Sequence, residues 1–186
     1  MTIYADSPGN SGTAPATWPI ASEVTRDAKQ PSLLMFIHPR CPCSRASVGE
    51  LALLMAHCQG RVAAHVFFIQ PLETTEEWMH TDTWRAVAEI PGVTLHCDVA
   101  GREAQTFGAE TSGDTFLYDS QGQLKFHGGI TASRGHSGDN PGRSALQDLL
   151  LGESLKSSTT PVFGCALFNS EAGKCKSCSN PPNKKT

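Results

Sequence analysis

Five consecutive apolar residues, Leu33-Leu34-Met35-Phe36-Ile37, run through His38-Pro39-Arg40 into Cys41-Pro42-Cys43, and a helical pattern leaves on the far side. This junction constrains the chain more than any other stretch of it. A short bounded apolar run has the form of a strand buried on both faces. Pro42 stands where a first helical residue tolerates a missing N–H. Val48, Leu51, Met55 and Cys58 then recur at helical spacing, and Gly60 is placed to end the helix. With Pro42 first in the helix, Cys41 is the expected cap residue. There the positive end of the helix lowers a thiol below the ~8.5 of a free cysteine. Arg40 and Arg45 lie near enough in sequence to add to that effect. The pair is one residue shorter than the usual C-x-x-C.

Past this junction, strand-like and helix-like segments alternate. Residues 62–69 form a second apolar run. A helical segment is expected from Thr75 through Trp78, Trp84 and Val87 toward Ile90, stopped by Pro91-Gly92. Residues 93–97 read as a third strand and 100–107 as a short helix ending at Gly108. Thr115-Phe116-Leu117-Tyr118-Asp119 then turns at Ser120-Gln121-Gly122 into antiparallel Leu124-Lys125-Phe126-His127. A last helix is expected over 143–151. The order β-α-β-α-β-α-β-β-α predicts an α/β fold with a central mixed sheet, parallel at first and finished by a hairpin, flanked by helices. Residues 1–31, rich in Pro, Gly, Ser and Thr, read as an extended arm with Trp18 and Ile20 as docking points. The domain proper is expected at 32–152. Residues 153–186 read as an irregular cysteine-containing tail, pinned at Pro161-Val162-Phe163.

Composition removes several function classes. A formal net charge of −3 gives no basis for nucleic-acid binding. No apolar run approaches the ~18 residues of a membrane span, and the first residues have neither a basic n-region nor an apolar h-region. A membrane tether is expected only if a segment once preceded Met1. Seven cysteines are many for a reduced cytosolic chain of 186 residues and few for a disulfide scaffold. Cys58, on an apolar helix face, and Cys97, closing a strand, read as core residues.

Asp98, Ala104 and Phe107-Gly108, followed by Thr115-Phe116-Leu117-Tyr118-Asp119-Ser120-Gln121-Gly122, together with the cysteine junction, resemble the thioredoxin-fold superfamily, in its TlpA-like and peroxiredoxin-like branch. Cys-Pro-Cys-Ser-Arg-Ala-Ser looks more narrowly like the RedB-like proteins. So do 128–131, Arg134-Gly135-His136 with Gly138-Asp139-Asn140, and Pro161-Val162-Phe163-Gly164-Cys165. The resemblance covers roughly residues 31–152 and implies a thiol oxidoreductase without a cofactor, periplasmic or otherwise extracytoplasmic. Its substrate would be a thiol or disulfide, on a protein or a small molecule. Two departures stand out. The motif is contracted to C-x-C, and Gly113 occupies the place where the family carries a cis-proline facing the cysteines. A peroxidase is disfavoured, because His38 stands where peroxiredoxins need Thr or Ser.

Two chemistries follow from these residues. In the first, Cys41 attacks a disulfide and Cys43, or alternatively Cys165, resolves the mixed disulfide. In the second, Cys41 and Cys43 bind copper(I) as soft ligands, with His136 as a third, in a copper-binding or copper-delivery protein. Cys175 and Cys178 form a second C-x-x-C with no strand before it and no helix after it. A local disulfide is the expected reading there.

Overall fold

A computed structural model of the chain describes residues 5–153 and 156–168. The apolar run becomes β1 (Ser32–Ile37), every residue of it buried. The sheet is built outward from β1. On one side it pairs in parallel with β2 (Ala63–Gln70), which pairs in parallel with β3 (Val93–Val99). On the other it pairs antiparallel with β4 (Asp114–Tyr118), which meets β5 (Leu124–Gly128) in a hairpin. A two-residue β6 (Ser158–Thr159) extends the edge parallel to β5, giving six strands in the order β3-β2-β1-β4-β5-β6. The expected architecture is therefore present. The added strand, inside a tail expected to be irregular, extends it.

Side chains alternating along β1 divide the core in two. Leu33, Met35 and Ile37 face α1 (Ser44–His57) and α4 (Pro141–Leu151) through Leu51, Leu54, Leu146 and Leu150. Leu34 and Phe36 face the other way, onto Phe67, Phe116 and Phe107 of α3 (Arg102–Phe107). The N-terminal arm closes this second face. Trp18 stands edge-on to Phe107 and Tyr118, and Leu124 N–H is donated to Ala16. Ile20, the other expected docking point, is fully exposed.

Two local expectations change. The segment after Thr75 is one turn of 3-10 helix (Glu76–Trp78) followed by a separate α2 (Asp82–Ala88). The break falls at Thr81, whose side chain accepts from Trp84 N–H and caps the new helix. Cys97 is exposed rather than buried, because β3 is an edge strand; its thiol donates to Gln70 Oε1 at 2.7 Å. Cys58 is fully buried. Among the described residues no helix is long and apolar enough to cross a membrane.

Candidate functional site: three sulfurs at the end of β1

The chain leaving β1 turns twice before it becomes helical. Cys41 N–H is donated to His38 C=O at 3.0 Å, and Ser44 N–H to Cys41 C=O at 3.1 Å. That second tight turn displaces the helix start, so Cys43, not Cys41, is the N-cap of α1. Cys41 sits one turn further out yet is almost wholly covered, at 3% exposure. Its cover is the tail. Cys165 Sγ lies 3.0 Å from Cys41 Sγ, and the sulfurs of Cys41, Cys43 and Cys165 all lie within 4.8 Å of one another.

The tail reaches this point along a defined route. Thr160 N–H is donated to His127, Val162 is fully buried under the arm, and Val162 C=O accepts from Gly9 N–H. Residues 165–167 then pair antiparallel with residues 110–112. Ser112 N–H is donated to Cys165 C=O and Leu167 N–H to Glu110 C=O, each at 2.8 Å, about the Thr111–Ala166 bridge. Leu167 is buried in the second core face. The pinning expected at 161–163 is present: Val162 is fully buried, and the backbone of 161–163 packs against Gly129. Cys175 and Cys178 lie outside the described residues.

Charge at the site is divided unequally. Hydrogen bonding from Cys165, then from Cys43, holds the Cys41 thiol well below its ordinary value, although burial opposes this. The Ser44 hydroxyl and the Cys165 backbone N–H add to the lowering. Cys165 is driven far upward, chiefly by Cys41 and then by Cys43 and burial. Cys43 is pulled down by Cys165, but Cys41 and burial outweigh this and leave it raised; Arg134 opposes the rise. The shifts run in opposite directions, so Cys41 is the sulfur of the three that most favours the thiolate form. Ser44 Oγ lies 2.7 Å from Ser112 Oγ, which accepts His38 N–H at 2.8 Å. His38 itself is lowered by burial, against the charge of Cys41.

The two arginines expected to support the motif are placed differently from one another. Arg45 is exposed, and Arg40 lies over the Trp78 ring, 4.9 Å from its centroid. The arginine acting on Cys43 is Arg134. It also donates through Nη1 to Gly164 C=O and through Nε to Ser7 C=O, binding tail and arm together. His136 is exposed and lies outside the thiol cluster, which is the one group of three or more metal-capable side chains in mutual reach among the described residues. The arginine was within sight of the sequence, two residues before the histidine favoured there. Ser44 and Ser112 carried no signal of their own.

Gly113 faces α1, where a Cβ would lie 2.8 Å from Ser47 Oγ. Its φ is +94°, its N–H is donated to Phe36 C=O at 2.8 Å, and every described peptide bond is trans. Proline, with φ fixed near −65° and no N–H, does not fit this backbone.

No protein-family model matches the sequence, and no curated protein sequence matches it. Solved structures do. A hypothetical protein from Sinorhizobium meliloti 1021 superposes with a TM-score of 0.67 at 23% identity, over 87% of this chain and 98% of that one. An uncharacterized conserved protein from Geobacillus kaustophilus gives 0.60 at 18%, over 90% and 95%. A thioredoxin-like protein, solved in its oxidized form in solution, gives 0.52 at 16% over 83% of this chain and 99% of its own. The fold is thioredoxin-like. In such a fold the junction after β1 and the segment before β4 meet at one end of the sheet, and here the three sulfurs collect at that meeting point.

Proposed function

We propose that the protein is a thiol–disulfide oxidoreductase in which Cys41 attacks and Cys165 resolves. The observation that carries the reading is the 3.0 Å separation of the Cys41 and Cys165 sulfurs, and the lowering of the Cys41 thiol by its hydrogen-bonding neighbours supports it. The Cys41 thiolate attacks one sulfur of a substrate disulfide. A mixed disulfide forms, and the other substrate sulfur leaves as a thiolate and takes up a proton. Cys165 gives up its proton and attacks Cys41. That step forms a Cys41–Cys165 disulfide and releases the second substrate sulfur as a thiol. The substrate gains two electrons and the protein loses two; an external dithiol returns them by the reverse exchange. Cys43, within 4.8 Å of both sulfurs, donates to the Cys41 thiolate and so supports the charge. The likeness of the Cys-Pro-Cys segment to RedB-like proteins favours the same chemistry and an extracytoplasmic setting.

The thiol cluster also supports a second reading, copper(I) binding. Three sulfurs fit a soft monovalent ion, with Cys165 in the place expected of His136. Two thiolates sharing one ion at about 2.3 Å stand roughly 3.8 Å apart in tetrahedral geometry. The Cys41–Cys165 pair is closer than that, at 3.0 Å, which favours sulfur–sulfur exchange.

One experiment separates the two. Reduced protein is titrated with copper(I) against a competing chelator, and disulfide reduction is assayed for Cys41→Ser, Cys43→Ser and Cys165→Ser. Exchange predicts no turnover for Cys41→Ser, a trapped mixed disulfide for Cys165→Ser, and retained turnover for Cys43→Ser. Turnover surviving Cys41→Ser, or tight one-to-one copper binding without turnover, overturns the proposal.

A further inference from the structure

The sheet carries a second pair of strong donors, away from the sulfurs. His96 on β3 is paired in register with Phe67 on β2, and His65 stands two residues before Phe67. Alternation along the strands therefore puts all three side chains on one face. The two imidazoles meet there, with His65 Nδ1 2.9 Å from His96 Nε2. His96 is fixed by stacking on Phe67, with centroids 4.7 Å apart and planes 16° apart. Burial, with His96 adding to it, pushes His65 down to about 4, and burial lowers His96 as well. Both rings are uncharged near neutral pH, so one donates its N–H and the other accepts it.

Neutral imidazole is the commonest metal-binding side chain. Each ring can carry its proton on the nitrogen that faces away, which leaves both facing nitrogens free to donate to an ion without loss of a proton. Their separation selects the ion. Two nitrogens about 2.05 Å from a common ion and 2.9 Å apart subtend about 90° at it. A tetrahedral ion would hold them roughly 3.3 Å apart. A right angle belongs to square-planar and tetragonal ions. We propose that His65 and His96 form a binding site for a divalent transition metal of tetragonal preference, copper(II) foremost, with water in the remaining positions.

The surroundings suit a cation. The charges of Asp27, acting on His65, and of Glu103, acting on His96, both favour positive charge at the rings. Both rings are only half-buried, and a cleft of about 370 Å³ opens beside His96, lined in part by Glu23, Thr25, Phe67, Asp98 and Arg102. Cys97, next along the strand, turns to the other face, where its thiol donates to Gln70. The site is separate from the thiol cluster. The strand order β3-β2-β1-β4 puts β2 between β3 and the strand that leads to Cys41. Its donors are nitrogens, which suit copper(II), where the sulfurs suit copper(I). An ion held here bridges β2 and β3 and fastens the edge strand to its neighbour.

The test uses the full chain with its accessible thiols blocked as methyl disulfides, so that sulfur neither reduces nor ligates the probe. The probe is copper(II) alone, titrated against glycine as competitor. Calorimetry reads the affinity, and pulsed electron paramagnetic resonance reads the imidazoles on the ion. The expected result is one ion per chain with two imidazoles bound. His65→Gln and His96→Gln should each weaken binding tenfold or more, since even an outer partner of a ligand is worth that much. His136→Gln should leave it unchanged. A readout without substitution covers the case in which a histidine variant fails to fold. Sub-stoichiometric copper(II) should broaden two of the seven histidine ring signals of the parent before the others in nitrogen–proton spectra. Broadening spread over all the rings overturns the proposal. So does an affinity that survives loss of either His65 or His96, or zinc(II) binding as tightly as copper(II).

Discussion

Gly113 faces α1 in a backbone conformation that a side chain resists twice over, and Gly113→Ala separates the two costs. The first is conformational. At φ +94° an L-residue pays about 1–2 kcal/mol that glycine does not. The second is steric. A Cβ at 113 would lie 2.8 Å from Ser47 Oγ, while Ser47 Cβ stays at an ordinary 3.6 Å. Ser47 is buried at 2% exposure and cannot swing into solvent, so overpacking adds about 1 kcal/mol or more. Backbone relief is limited, because Gly113 N–H is fixed to Phe36 C=O and β4 begins at the next residue. Together these give about 3 kcal/mol, a large fraction of the stability of an ordinary domain. Urea unfolding of the reduced protein reads this as a fall in midpoint of about 1.5 M, for a slope near 2 kcal/mol per molar. Ser47→Ala removes the clashing oxygen and leaves the φ cost. The double variant should therefore recover about 1 kcal/mol relative to the sum of the singles. Additivity within ~0.3 kcal/mol refutes the steric part. A Gly113→Ala midpoint equal to that of the parent refutes the whole argument.

Three further outcomes follow from the charges. Cys165→Ala removes the main hydrogen bond to Cys41, so the pH midpoint of Cys41 alkylation by iodoacetamide should rise toward the ordinary thiol range near ~8.5. A lowered thiol lends stability that is full above the unfolded value and lost as pH falls through the folded one. The reduced parent should therefore lose more stability than Cys165→Ala between pH 8 and pH 5, measured by thermal unfolding. Glu50, at 1% exposure, pairs with Arg143 at 2.8 Å and accepts from Gly138 N–H and Asn140 Nδ2. Glu50→Ala removes the buried partner of that arginine, leaving it the exposed Asp139 at 3.2 Å, and should cost about 3 kcal/mol in urea unfolding; a loss under ~1 kcal/mol refutes this.

The central architecture was legible because its signals are local. The apolar run of β1, the helical spacing from Val48 to Cys58, and the turn at Ser120-Gln121-Gly122 each need only a few neighbouring residues to be read. The site was legible by half. Cys41 and Cys43 declare themselves by their place between strand and helix. Cys165 was in view as a lone thiol, but its approach depends on a pairing of residues 165–167 with 110–112. A single bridge of that kind has too few residues to show any alternation. Arg134 was in sight beside His136, but its role was not legible: Gly164 and Ser7 meet it through backbone carbonyls, which leave no side-chain pattern to match. Cys97 misleads in the other direction, since an apolar strand does not say whether it lies at an edge.

The 124 residues that separate Cys41 from Cys165 have a consequence for the oxidised protein. A bond between neighbouring cysteines closes a small ring and hardly restricts the unfolded chain. One that spans this distance closes most of the molecule into a loop, and the lost chain entropy of the unfolded state is worth about 5 kcal/mol to the fold. By the same cycle the bond is harder to reduce in the folded protein than in the unfolded chain, by roughly 100 mV for a two-electron couple. In the proposed cycle, oxidation of the tail onto Cys41 ties the protein into a loop and reduction unties it. Resistance to heat and reducing power then become two measures of a single equilibrium.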